Sequence, residues 1–183
     1  MILNEKQITL KDGRTAILRS PLAEDAAEQT EMIKKAWGET DFLLRGPEDC
    51  DDITVESERA WIENAVASPN KLVIVCTVEE KIAGICEIGF NTKQKIKHRA
   101  SIGITVLKEF WNIGIGSAFF TELITAAKAR EEVEIVELEF IEGNTRARAL
   151  YEKFGFRIVS QKPDAVCLKD GTYRNEYYMQ KRI

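Results

Sequence analysis

The stretch WNIGIGSAFF, residues 111–120, sets two glycines one residue apart where an apolar strand-like run gives way to an amphipathic one. Before it, Ala100, Ile102, Ile104 and Val106 fall on one face of an extended chain, with Ser101, Gly103, Thr105 and Leu107 on the other. After it, Ile115, Ala118, Phe119 and Leu123 recur at helical spacing, and the pattern continues to about Arg130. Gly114 and Gly116 therefore stand at a helix N-terminus, where backbone N–H groups lack intrahelical partners and the helix dipole favours an anion. Lacking Cβ atoms, they would let a phosphate approach those groups closely, although glycine here also serves a cap or tight packing. A dinucleotide fingerprint would need Gly or Ala where Phe119 stands, and a P-loop would need Gly-Lys-Ser/Thr; both are excluded.

Working outward, ITLKDGRTAILRS reads as an opening hairpin about Lys11-Asp12-Gly13. Residues 21–37 carry a helical pattern, and GETDFLLRGPEDCDD follows as a loop. Thr54 is placed to cap a second helix with Glu56 in its first turn and Trp61, Ile62, Ala65 and Val66 inward. KLVIVCTV and KIAGICEIGF are strands joined at Glu79-Glu80, the Arg99–Leu107 run is a third, and EIVELEFI another. NTRARALYEKF is a helix, and FRIVSQ and TYRNEYYMQKR close the chain as strands around Lys169-Asp170-Gly171. The order predicts one α/β (α+β mixed) domain over residues 1–183, a central twisted, mostly antiparallel sheet of about six to seven strands flanked by about four helices.

Composition narrows the function. Hydrophobic residues make up 44% and charged residues 31% of 183 positions, which suits a globular protein, and no apolar run approaches membrane-spanning length; a cytoplasmic location is expected. A net charge of −4 argues against a nucleic-acid surface. Cys50, Cys76, Cys86 and Cys167 form no CxxC spacing and His98 is the sole histidine, so neither a metal site nor a disulfide framework is expected. Between Glu39 and Glu58 there are eight acids (Glu39, Asp41, Glu48, Asp49, Asp51, Asp52, Glu56, Glu58) against Arg45 alone, which makes either a solvated loop or an acidic mouth for a cationic substrate.

Downstream, VELEFIEGNTRARALYEKFGF carries Glu139 on a strand, then Asn144, then a helix with Ala147, Leu150, Tyr151 and Phe154 on one stripe. ITVLKEFWNIGIGSA followed, about 28 residues after the second glycine, by Asn-x-x-Ala-x-x-Leu-Tyr-x-x-Phe-Gly-Phe resembles the GNAT superfamily of acetyl-CoA-dependent N-acetyltransferases, over roughly residues 71 to 160. The resemblance implies a GNAT-like fold whose two central strands splay to admit pantetheine, with acetyl-CoA as co-substrate and no metal. It implies backbone hydrogen bonds to pantetheine from Ile104, Thr105 and Val106, and a pyrophosphate loop from Asn112 through Ile113, Gly114, Ile115 and Gly116 to Ser117. By the same resemblance Asn144 contacts the cofactor and Tyr151 protonates the leaving thiolate. Trp111 departs from the family pattern, standing where Arg or Gln usually begins the loop, and Asn112 replaces a frequent glycine.

An ammonium group must lose a proton before it attacks a thioester, so a base is required. Glu139 matches a family position used as a base, and a solvated strand-end residue is the other reading. Glu87, flanked by apolar strand residues in GICEIGF, is the runner-up. Tyr151 is equally readable as a core tyrosine on a buried stripe. His98 reads as a surface strand-end residue. The expected function is direct acetyl transfer in a ternary complex to a primary amine, either a small molecule or a protein amine, with residues 37–52 bordering the acceptor. The alternative is a non-catalytic acyl-CoA-binding or sensing module of the same fold. Homodimerisation through sheet edges is compatible with both.

Overall fold

The computed structural model describes residues 1–183. One sheet holds eight strands: β1 (Lys6–Thr9), β2 (Thr15–Arg19), β3 (Lys71–Val78), β4 (Lys81–Phe90), β5 (Arg99–Val106), β6 (Ile135–Ile141), β7 (Arg157–Cys167) and β8 (Tyr173–Arg182). Their spatial order is β1-β2-β3-β4-β5-β6-β8-β7. Four α-helices accompany them: α1 (Ala26–Glu39), α2 (Val55–Ala67), α3 (Ile115–Lys128) and α4 (Thr145–Lys153). The sheet holds slightly more strands than the six to seven expected, and the opening hairpin is part of it, β1 pairing with β2 at the edge from Lys6↔Leu18 to Thr9↔Thr15.

Several element ends follow from local chemistry. The first helix starts later than its pattern suggested: residues 23–25 form a separate 3-10 turn. There the Asp25 carboxylate accepts from the Leu22 N–H at 2.7 Å and pairs with Arg19 at 2.6 Å, which ends the extended chain. Thr54 caps α2 as expected, its Oγ1 accepting from the Ser57 N–H at 3.1 Å. The β3–β4 turn is built from Glu79 and Glu80 at φ 51° and 65°, the twist a two-residue hairpin needs although neither is glycine. β7 runs past the expected Gln161 to Cys167, and its register with β8 breaks between Lys162 and Val166. Pro163, which lacks an N–H, and Asp164 at φ 49° make that interruption a bulge.

The core lies between sheet and helices. Phe119, Phe120 and Leu123 of α3 and Leu18, Ile74, Val75 and Ile88 of the sheet are fully buried, each worth about 1.5–3 kcal/mol on leaving water. Cross-strand neighbours Leu72, Ile88 and Ile102 share the face that receives α3, and Val73, Glu87 and Gly103 share the other. On that second face the Lys71 ammonium lies over the α2 residue Trp61, 5.3 Å from the ring centre.

The break that matters for function is between β5 and β6. They run parallel and pair only over Arg99–Ser101 and Ile135–Glu137, then diverge. At the last paired position Glu137 accepts from Arg99 at 2.6 Å and from Ser101 Oγ at 3.1 Å, and Tyr178 of β8 joins the same carboxylate. Beyond that cluster, residues 102–106 and 138–141 bound an open gap through the sheet.

Candidate active site

The gap opens into a cleft of about 920 Å³. Its walls include Ile102–Val106 of β5, Leu138–Ile141 of β6, the 111–117 loop, α4, and Trp37 and Phe42–Arg45 from the segment after α1.

Asn112 and Gly114 take positive φ values of 66° and 113°, so the loop turns its backbone twice before α3 begins. The Lys11 N–H anchors it from outside, donating to the Ile113 carbonyl at 2.9 Å. From Asn112 to Ser117 no backbone N–H donates to any acceptor in the protein, and the first bond of the helix is Ala118 N–H to Gly114 O at 3.1 Å. Such a run of free donors at a helix N-terminus suits an anion. The two glycines do different work. Gly114 supplies a backbone angle, whereas a Cβ on Gly116 would stand 2.8 Å from Leu150 Cδ2, so Gly116 permits close contact between α3 and α4. Asn112, Gly114, Gly116 and Ser117 line the cleft, whereas Ile113 and Ile115 pack into the core and are not among its walls.

Ile104, Thr105 and Val106 all line the cleft, but the Val106 carbonyl is engaged by Trp111 Nε1 at 2.7 Å. Trp111 in turn carries the guanidinium of Arg146, 3.1 Å from its ring centre. A cation from α4 thus rests on the loop position that lacks one. Asn144 caps α4, its Oδ1 accepting from the Ala147 N–H at 3.1 Å, and lines the cleft as well.

Tyr151 is 5% exposed and wedged among Phe120 (ring centres 5.3 Å), Phe140 (6.0 Å) and Phe156 (6.5 Å). Its hydroxyl has no partner in the protein and faces the cleft. Burial pushes the phenol up to about 12, against the pull of the Arg146 charge. Glu139 lines the same cleft, and loss of solvation, then Glu176 and Glu137, raise its carboxyl above the ordinary value while Lys162 draws it back. Glu176, which sequence reasoning missed, lies on the face of Glu139 because β8 pairs with β6 in the register Glu139↔Tyr178 and Ile141↔Glu176.

Glu87 is not brought to this site. It lies on the face of the sheet that carries α2 and pairs with Lys71 at 2.9 Å, and it is absent from the cleft walls. His98 is likewise remote, its carbonyl holding the Glu134 and Ile135 N–H groups. Of the eight acids between Glu39 and Glu58, only Glu39 lines the cleft, and its Oε2 accepts from the Lys108 N–H at 2.6 Å. Glu48 pairs with Lys169 and Asp49 accepts from the Gly46 N–H, so much of that charge serves the loop's own structure. Arg45 lies 5.4 Å from the centre of the Trp37 ring, forms no salt bridge and lines the cleft.

The family model described as Acetyltransferase (GNAT) family matches residues 31–156, more than half the chain. The chain belongs to the GNAT family of acetyltransferases. The chain is 27% identical over 125 residues to the L-amino acid N-acetyltransferase AaaT of Escherichia coli (strain K12), covering 68% of this chain and 76% of that one. It superposes on a GNAT-family acetyltransferase of Streptococcus pneumoniae with a TM-score of 0.85 at 27% identity, over 92% and 99% of the two chains. The yncA protein of Salmonella typhimurium, solved with its cofactor acetyl-CoA, has the same fold, with a TM-score of 0.77 at 18% identity over 91% and 93%. The expected mixed α/β GNAT fold is thus the fold of this chain, and no helix in it is long and apolar enough to cross a membrane.

Proposed function

We propose that the protein moves an acetyl group from acetyl-CoA to the primary amine of a free α-amino acid, directly and in a ternary complex. The observation that carries the donor half is the run of free N–H groups from Asn112 to Ser117 at the mouth of the β5/β6 gap. Such donors hold a diphosphate, and the unpaired strand edge of β5 suits an amide-bearing arm such as pantetheine. Acetyl-CoA supplies an activated thioester; the chain supplies grip, a base and a hydrogen-bond donor.

For the acceptor, Arg45 is a free guanidinium and Glu139 a carboxylate, both lining the cleft, and such a pair of charges complements an amino acid zwitterion. The relationship to an L-amino acid N-acetyltransferase supports the same reading. Glu139, with its raised pKa, takes the ammonium proton, directly or through water, and the freed nitrogen lone pair attacks the carbonyl carbon. The C–N bond forms as the C–S bond breaks, and the second proton shed by the nitrogen goes to the departing thiolate, leaving amide and free thiol. A phenol held near 12 gives up its proton reluctantly to a thiolate whose own pKa is about 8.5, so Tyr151 stabilises charge on sulfur as a hydrogen-bond donor. No cysteine lines the cleft, and the buried thiols of Cys76 and Cys86 are pushed up by loss of solvation, which fits transfer without an acetyl-enzyme.

Release of free thiol from acetyl-CoA, measured across free amino acids, polyamines, aminoglycosides and peptides, tests this. Turnover with amino acids that is lost on esterifying their carboxylate is the expected result. Turnover confined to peptides or polyamines overturns the acceptor assignment, and tight acetyl-CoA binding with no turnover on any amine makes the protein a sensor.

A further inference from the structure

Helix α4 carries three cations, and the fold sorts them. Arg148 is an ordinary surface pair with Glu152 at 2.8 Å. Arg146 and Lys153 have no carboxylate partner, although acids are close in sequence: Glu152 is taken by Arg148, and Glu142 accepts from the Asn175 N–H and the Tyr177 hydroxyl. Seven residues apart, Arg146 and Lys153 share one face of the helix, about 10 Å from each other along its axis.

That face meets the loop of free N–H groups at both ends. Arg146 lies on Trp111, the residue just before the run, and Lys153 Nζ donates to the Oγ of Ser117, its last member, at 3.1 Å. Both line the cleft, together with Tyr151, a residue 5% exposed whose hydroxyl has no partner in the protein. A neutral hydroxyl leaves the ammonium charge uncompensated, and an aromatic face offsets only part of a guanidinium's. Each end of the donor run therefore holds a positive charge in want of an anion, within a chain of net charge −4.

We propose that α4 carries a two-point phosphate grip, with Arg146 on the diphosphate of the donor and Lys153 on a second phosphoryl group, the ribose 3′-phosphate of coenzyme A. This rests on the donor reading given above. Selection for the 3′-phosphorylated nucleotide then resides in Lys153, and the cation missing from the loop at Trp111 is supplied by the helix.

Titration calorimetry with coenzyme A, 3′-dephospho-coenzyme A and pantetheine separates the two points. Lys153→Met is expected to weaken coenzyme A about tenfold and leave 3′-dephospho-coenzyme A unchanged, the loss of one charge-assisted contact. Arg146→Met is expected to weaken both nucleotides by the same factor and leave pantetheine unchanged, and Arg148→Met to alter none. Thermal midpoints of each variant check that the fold is intact. Equal loss for both nucleotides in Lys153→Met, or no loss in either, overturns the assignment while the donor reading stands. Failure of the wild-type protein to bind coenzyme A overturns that reading and the grip together.

Discussion

Glu139 and Tyr151 reach one cleft from opposite faces of the same sheet. Phe140 packs against the Tyr151 ring beneath α4, and its neighbour Glu139, one residue earlier on the strand, points the other way. Both can touch one ligand only because the sheet is open there, β5 and β6 having parted after Ser101 and Glu137. A base on one side of a thioester and a hydrogen-bond donor on the other is an arrangement that a closed sheet would forbid.

Glu139→Gln should lower kcat by about a hundredfold or more, as removal of a positioned base does. Because the base works deprotonated and its carboxyl lies above the ordinary value, wild-type activity should fall with pH through that raised pKa. Glu176→Gln removes a like charge, lowers the Glu139 pKa, and should move the acid limb of the kcat profile to lower pH. An acid limb that survives in Glu139→Gln unchanged would assign it to another group.

Tyr151→Phe should reduce kcat by about tenfold to a hundredfold, toward the low end for a positioned donor. Coenzyme A affinity by calorimetry should be nearly unchanged, since the aromatic packing on Phe120 and Phe140 is retained. With the phenol near 12, Tyr151 should contribute no alkaline limb below pH of about 10. Undiminished turnover removes Tyr151 from the chemistry.

Gly114→Val places a β-branched side chain at φ 113° and should cost at least about 1–2 kcal/mol of stability while weakening coenzyme A binding through displaced N–H groups. Gly116→Ala should be milder in backbone terms, yet it forces Leu150 aside. Chemical denaturation and calorimetry on the same samples distinguish the two effects. Full affinity in Gly114→Val would count against the loop as the anion site.

Away from the cleft, Glu58 of α2 is buried against Gln29 of α1, whose Oε1 lacks a partner while its Nε2 donates to the carboxylate. Burial raises the Glu58 pKa, so the folded protein binds a proton that the unfolded chain has already released. The resulting stabilisation is complete below the unfolded value and is lost as pH rises through the folded one. Glu58→Gln, able to pair reciprocally with Gln29, should raise stability at pH 8 by about 1 kcal/mol and flatten its pH dependence. Urea melts of wild type and Glu58→Gln at pH 4 and pH 8 read this directly, and a stability difference between the two that does not grow toward pH 8 would contradict it.

Much of this molecule could be read along the chain, because the signals are local. The alternation of Ala100, Ile102, Ile104 and Val106, the helical stripe from Ile115 to Leu123, the Thr54 cap and the paired glycines each depend on neighbours a few residues away, and each stands where the pattern put it. The ordered pair of patterns around Gly116 and Asn144 sufficed for the family. The strand bulge at Pro163 and the later start of α1 were hidden, since the first depends on register with β8 and the second on Asp25 meeting Arg19.

The make-up of the site was decided in three dimensions. Glu87 and Glu139 look alike as acids in apolar strands, and only the assembled sheet separates them: Glu87, on β4, sits opposite Gly103 and pairs with Lys71, while Glu139 lies on β6 where it has parted from β5 and lines the cleft. Glu176 joins Glu139 through the β6–β8 register, Arg146 finds Trp111 across 35 positions of chain, and Gly116 answers to Leu150. Spacing along a strand or helix sets which way a side chain points, whereas its charge partner, its desolvation and therefore its chemistry are set by groups that meet only once the sheet has assembled and parted.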